Sequence, residues 1–143
     1  IQPSERGDLD EEGGGREVMN IEIRGLIPVC LALVVVCHGG NDILQRRDLE
    51  QTSENVSAMV EMIHGVGADV ILLGVPQPSL GLKPPAFYKE IASLHDVPYD
   101  EDTLRKILLR PSMRSDHVHM NGSGHTLLAQ AVADMIERSM RER

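Results

Sequence analysis

The sequence is poor in aromatic residues and in positive charge. Its 143 residues include one Phe, two Tyr and no Trp, so a core must come from aliphatic side chains and Met. We therefore expect no surface that stacks nucleic-acid bases. Lys and Arg number 14 against 22 Asp and Glu, and the net charge of −8 argues against partners with a phosphate backbone or an anionic membrane surface. Length and composition predict one domain over residues 1–143.

Cysteines and long apolar runs are scarce too. Cys30 and Cys37 lie in one apolar stretch without CxxC spacing, which predicts buried free thiols rather than a disulfide framework or a zinc knuckle. The longest apolar run, residues 26–37, is too short to span a bilayer. No secretory signal precedes this run, but the sequence begins at Ile1 rather than Met, so its localisation stays open between a cytoplasmic and an exported soluble form.

The apolar pattern predicts alternating strands and helices. Residues 29–37 and 68–75 are continuous aliphatic runs, typical of parallel strands buried on both faces, and residues 97–99 predict a short strand. Residues 1–16 are predicted to be a loop. The predicted helices cover residues 49–64, 84–94, 101–109 and 123–138, with a poor helix at 18–27. This order indicates an α/β domain with right-handed crossovers.

A glycine-rich turn follows the first predicted strand. It reads His38-Gly39-Gly40-Asn41-Asp42, and functional groups of parallel α/β sheets gather at such strand ends. The two glycines permit close backbone approach, and Asn41 offers a side-chain NH₂ group of the kind an oxyanion hole requires. The alternative is a Gly-Asn turn that only ends the strand.

A second polar constellation precedes the last predicted helix. Asp116 and His119 are three residues apart, close enough for the carboxylate to accept the Nδ1 proton and make His119 a general base. One alternative is a metal site built from Asp116, His117, His119 and His125, although no further Cys or His cluster supports it. Another is a polar surface loop that caps the helix through Asn121 or Ser123.

Together these two segments resemble the SGNH (GDSL-type) hydrolase superfamily, in its esterase, thioesterase and lysophospholipase branch. The family's third block is G-x-N-D, matched by Gly39-Gly40-Asn41-Asp42, and its fifth is D-x-x-H, matched by Asp116 and His119. Asn121 matches the family's following Asn, whereas Met120 replaces its usual Pro. The stretch from Gly7 to Gly13 is similar to the second block.

The resemblance implies a fold and a set of roles. The fold is a flavodoxin-like three-layer α/β/α sandwich with a parallel sheet. Asn41 and the backbone NH of Gly7 would be oxyanion-hole donors, with Gly40 shaping the turn, while His119 would be the base and Asp116 its orienting partner. The implied reaction is acyl transfer to a serine followed by hydrolysis, on a small-molecule ester substrate and with no cofactor or metal.

The sequence departs from this family where the nucleophile should be. No Gly-Asp-Ser segment precedes the second block, and Gly7-Asp8-Leu9 has Leu where Ser is needed. Ser4 lacks a preceding strand, and Ser79 lacks the nucleophile-elbow pattern. We therefore expect no nucleophile in the chain, little activity, and a domain whose N-terminal strand or strands are missing.

Two consequences follow for the whole domain. In strand order 2-1-3-4-5 the 29–37 strand would lose its neighbour and become an edge, open to self-association with another chain. The alternative to a hydrolase is a non-catalytic ligand-binding or interaction module that keeps this scaffold.

Overall fold

The computed structural model of the protein describes residues 32–78 and 81–141. Within these ranges three strands alternate with five α-helices, and a 3₁₀ turn at Pro111–Met113 precedes the last helix. The elements are β1 (Leu33–Val36), α1 (Gly40–Leu44), α2 (Leu49–Gly65), β2 (Asp69–Leu73), α3 (Phe87–His95), β3 (Tyr99–Asp100), α4 (Thr103–Leu108) and α5 (Gly122–Arg141). The predicted segments at 1–16 and 18–27 lie outside the described residues, as does Cys30.

The three described strands form one parallel sheet in the order β1-β2-β3. β1 pairs with β2 from Leu33 opposite Asp69 to Val36 opposite Leu72, and β2 pairs with β3 through Leu72 and Tyr99. Consecutive parallel strands joined by helices are the arrangement the sequence predicts, and this order matches the last three strands of the 2-1-3-4-5 topology. Among the described strands, β1 is therefore an edge.

Helices cover both faces of this sheet and give the three predicted layers. Side chains of β2 alternate between the faces, because successive residues of a strand point in opposite directions. Val70 and Leu72 pack with α2 and α3, whereas Ile71 and Leu73 pack with α4 and α5. The fully buried Tyr88 supplies the largest side chain of the α2–α3 side. Aliphatic residues make up most of both cores, as the composition predicts.

Local sequence explains where two helices begin. Asp48 caps α2, because its side chain accepts a hydrogen bond of 2.9 Å from the backbone NH of Glu50. α3 begins at Phe87, three residues later than predicted from position 84. A residue that precedes a proline is held out of the helical conformation, and Pro84 precedes Pro85. None of the helices in the described ranges is long and apolar enough to cross a membrane.

The described part of the first predicted strand is less buried than its sequence suggests. Residues 29–31 of the predicted range 29–37 lie outside the described residues, β1 covers Leu33–Val36, and Val35 is 38% exposed. The prediction of burial on both faces is thus wrong for this strand, because Val36 packs into the α2–α3 core whereas Val35, on the opposite face, is left exposed. Cys37 is a free thiol as predicted, but it is exposed rather than buried, since it lies just beyond the paired residues.

Candidate active site

The turn after β1 is built around one left-handed glycine. Gly39 has a φ of +100° and begins α1, so the predicted tight turn is the entrance to a short helix. The hydroxyl of Tyr88 donates a hydrogen bond of 2.6 Å to the carbonyl of His38. Burial raises the pKa of the Tyr88 hydroxyl well above its usual value, which keeps the donor protonated. A Cβ at position 39 would lie 2.7 Å from that hydroxyl oxygen, so only glycine fits there.

Asn41 lies in the first turn of α1 with its side chain exposed. Within the described ranges this amide has no hydrogen-bond partner, so its NH₂ group is available to a ligand. Its neighbour Asp42 instead has partners, because its carboxylate lies 3.8 Å from Nε of Arg47 and 3.4 Å from the hydroxyl of the buried Thr52. The turn thus combines a fixed backbone with one free amide.

Asp116 and His119 are in direct contact, as their spacing predicts. Oδ2 of Asp116 lies 2.7 Å from Nδ1 of His119. Oδ1 accepts hydrogen bonds of 2.8 Å from the backbone NH groups of Val118 and His119. Because an ionised carboxylate only accepts, the shared proton must be on Nδ1, and the neutral ring keeps Nε2 as a free base. The His119 side chain is 73% exposed, so Nε2 is open to a reactant.

These contacts also fix the charge of Asp116. The backbone NH of Val118, then the ring and the backbone NH of His119, lower the pKa of this carboxyl to about 2. Hydrogen bonds donated to a carboxylate favour its ionised form. Asp116 is therefore an anion at any pH at which a histidine could act as a base, and it stabilises an imidazolium formed at His119.

The orientation of α5 places this pair at the carboxyl edge of the sheet. Residues near the end of α5, including Met135 and Arg138, line a cleft with Leu33 and Asp69, which begin β1 and β2. The 20 residues of α5 extend about 30 Å at 1.5 Å per residue. The first turn of α5 and the loop before it consequently lie toward the opposite edge, where the strands end.

The Asn41 turn lies at the same edge. A Cβ at Gly40 would lie 3.4 Å from the side chain of Val75, which follows β2. Within the described ranges no hydrogen bond or ion pair joins Asn41 to Asp116 or His119. The structure thus pairs Asp116 with His119 directly and brings Asn41 to their side of the sheet.

Several other predicted residues are not assembled with them. Gly7, Ser4 and Ser79 lie outside the described residues. In the part of the chain that the structure describes, no three His, Cys, Asp or Glu side chains are grouped to hold a metal ion. The alternative metal site at Asp116, His117, His119 and His125 therefore finds no support there.

Two contributors were not identified from the sequence. Tyr88 supports the turn at His38 from 50 positions away, and no local pattern signals such a contact. Asn121 was predicted as a helix cap and matched to the family's Asn position, yet its side chain also donates to the carbonyls of Ser112 and Arg114. The position of Asn121 just before a helix was the available local signal, and it indicated the cap alone.

Comparison with known families and structures places this geometry in a wider group. The sequence model of the GDSL-like lipase/acylhydrolase family matches residues 14–127, a range that includes Asn41, Asp116 and His119 but not Gly7. No curated protein matches the chain in sequence.

Two solved esterase structures resemble the chain. The psychrotrophic esterase EstA from Pseudoalteromonas sp., inhibited by monoethylphosphonate, gives a TM-score of 0.65 at 17% identity, covering 77% of this chain and 63% of its own. A serine-to-alanine mutant of the esterase AlinE4 gives a TM-score of 0.54 at 24% identity, covering 80% of this chain and 64% of its own. At such identities the likeness concerns the fold, and the chain spans less than two thirds of the length of either esterase.

Proposed function

The chain belongs to the GDSL-like lipase/acylhydrolase family, and from this premise we propose that it carries the acid–base half of a serine ester hydrolase. The observation that carries the proposal is the 2.7 Å contact between Asp116 Oδ2 and His119 Nδ1. This contact fixes the tautomer in which Nε2 can accept a proton from a serine hydroxyl.

Each proposed role follows from a property of its residue. His119 takes the proton of the nucleophile and returns it to the leaving group, while Asp116 orients and stabilises the imidazolium. Asn41, whose exposed amide has no partner among the described residues, donates to the oxyanion of the tetrahedral intermediate together with the backbone NH of Gly7. Gly40 keeps the turn free of a side chain. The substrate class is a small-molecule ester, cleaved through an acyl-enzyme.

The nucleophile is assigned to a serine that is not among these 143 residues. We place it at the end of a strand that pairs with β1 on the side away from β2, so that a Gly-Asp-Ser turn would lie beside the Asn41 turn. Without that serine the chain retains a base and an oxyanion donor but forms no acyl-enzyme, and hydrolysis stays weak.

The test compares the chain with a version extended by an N-terminal strand ending in Gly-Asp-Ser. We expect hydrolysis of p-nitrophenyl acetate and labelling by a serine-directed phosphonate in the extended version alone. An extension ending in Gly-Asp-Ala is the matched control.

In the active version His119→Ala lowers kcat by about 10²–10⁴-fold and Asn41→Ala by about 10²–10³-fold. His117→Ala, two residues from the base and with an exposed side chain, leaves kcat unchanged.

Other outcomes would redirect the assignment. If the extended version folds but reacts with neither reagent, the hydrolase proposal is wrong. Saturable binding of an ester at Asn41 without turnover would then support the non-catalytic binding module. Activity in the unextended chain would place the nucleophile within the 143 residues, and Ser79→Ala and Ser4→Ala would identify it.

A further inference from the structure

The Asn121 side chain connects both ends of the loop that carries Asp116 and His119. Its Nδ2 donates hydrogen bonds of 2.9 Å to the carbonyl of Ser112 and 3.4 Å to that of Arg114. Its Oδ1 accepts a hydrogen bond of 3.1 Å from the backbone NH of Gly124, in the first turn of α5. One carboxamide thus acts as donor on one side of the loop and as acceptor on the other, whereas a carboxylate of the same size can only accept.

Backbone hydrogen bonds close the rest of this loop. The backbone NH of Asn121 donates 3.0 Å to the carbonyl of Met113, and that of Ser115 donates 2.8 Å to the carbonyl of His119. The Ser115 hydroxyl donates 3.2 Å to the carbonyl of Met120. The segment is therefore a closed loop whose base is held by Asn121.

Side-chain packing does little to hold Asp116 and His119 in place on this loop. The Asp116 side chain is 52% exposed and that of His119 is 73% exposed, and neither belongs to a core cluster of the described residues. Proton transfer requires that the reacting side chains be positioned to within a few tenths of an ångström. In an exposed loop, such positions are kept only if hydrogen bonds fix the backbone. Here Asn121 makes the bonds at the base of the loop, to the carbonyls of Ser112, Met113 and Arg114.

We propose that Asn121 is a positioning residue for the Asp116–His119 pair, acting through its Nδ2 donation to Ser112 and Arg114. The role of the pair rests on the proposed function, whereas the geometry that Asn121 maintains exists without substrate. Loss of Nδ2 releases the Ser112 end of the loop, so that Asp116 and His119 sample several separations.

The choice of substitution separates the positioning role of Asn121 from a purely structural role as the cap of α5. Ser is a good helix N-cap, so Asn121→Ser retains an acceptor for the NH of Gly124 but is too short to donate to Ser112. Asn121→Ala removes both functions. Asp48→Ala is the matched control, because it removes the cap of α2 and leaves the loop unchanged.

The experiment uses NMR on the 143-residue chain, with no ester and no added serine. In Asn121→Ser, we expect the His119 Nδ1–H proton to exchange with water about fivefold faster, the factor for loss of one typical hydrogen bond. The titration midpoint of the Asp116 carboxyl is expected to rise from about 2, with little change in Tm. Asn121→Ala shows the same two shifts with a lower Tm. Asp48→Ala lowers Tm and leaves both signals as in the wild type.

Two results would overturn the proposal. Wild-type exchange and titration in both Asn121 variants would mean that the amide only caps α5. The same shifts in Asp48→Ala would mean that the signals report global stability rather than positioning. Neither result depends on hydrolysis, so a failure here is distinguishable from a failure of the extended version to cleave esters.

Discussion

At the scale of single residues, Asp116 shows how an exposed carboxylate acquires a fixed role. Its two oxygens accept three hydrogen bonds, all from residues two or three positions further on. The spacing of Asp116 and His119 was enough to predict their contact, because residues three apart in a turn are neighbours. The two backbone donors were not predicted, since they depend on the path of the loop rather than on residue types.

The first prediction concerns the pH dependence of stability. The pKa of Asp116 is about 2 in the folded chain, below the value of about 3.9 for an unfolded aspartate. Its stabilising contribution is therefore complete above the unfolded pKa and is lost as the pH falls toward 2. Urea unfolding at a series of pH values should show a smaller loss of unfolding free energy for Asp116→Asn than for the wild type between about pH 5 and pH 2.

A direct titration of the Asp116 carboxyl checks whether hydrogen bonds cause its low pKa. In His119→Ala, Asp116 loses the ring but keeps both backbone donors, so the midpoint of its carboxyl ¹³C signal should rise only part of the way toward the ordinary value. An unchanged midpoint would mean that the backbone donors alone hold the carboxylate.

At the scale of elements, the sequence predicted the positions of periodic segments well, and their exposure and long-range contacts less well. Apolar runs located β1 and β2, and the 3.6-residue pattern located α2 and α5, because each of these signals is local. The exposure of Val35 was missed, since a continuous valine run does not reveal how completely each face of a strand is covered by helices. The contact of Tyr88 with His38 was missed for a similar reason, as it depends on how α3 packs against the sheet.

The second prediction concerns the turn before α1. Gly39 and Gly67 both have positive φ, but a Cβ would contact Tyr88 only at position 39 and would meet nothing within 4 Å at position 67. Gly67→Ala should lower the unfolding free energy by about 1–2 kcal/mol, the cost of the left-handed conformation. Gly39→Ala should cost about 1–3 kcal/mol more, because the new methyl group also overpacks the site.

Chemical denaturation measures both values, and a double variant tests the cause. Tyr88→Phe removes the hydroxyl that the methyl group would meet, so Gly39→Ala should be less damaging in that background. Equal costs at positions 39 and 67 would contradict the steric explanation.

At the scale of the whole molecule, the edge of β1 and the net charge have opposite effects on self-association. Val34, Val36 and Met62 line an uncharged groove beside β1, and Val35 is exposed on the strand itself. An apolar edge strand favours pairing with another chain, whereas a net charge of −8 repels a second copy. The overall α/β class and the edge position of this strand were predicted from the sequence, whereas the groove beside β1 and the exposure of Val35 were visible only in the structure.

The third prediction is that self-association occurs through this edge and depends on salt. Sedimentation velocity should show more dimer at high ionic strength, because salt screens the repulsion between acidic copies. Val35→Lys should raise the dimer dissociation constant by about tenfold or more, as a charge on an edge strand opposes pairing. Leu94→Lys is the control, since Leu94 is exposed on α3. Equal association of Val35→Lys and the wild type would exclude β1 as the interface.

The loop between the 3₁₀ turn and α5 has a practical consequence for protein engineering. Its described hydrogen bonds begin and end within residues 112–125, and Gly124 is the close-packed point where it meets Ile107 of α4. A segment that carries its own geometry is a transplantable unit. Another α/β scaffold with a glycine and an isoleucine at these two positions could receive it, and would gain a histidine base already oriented by its aspartate.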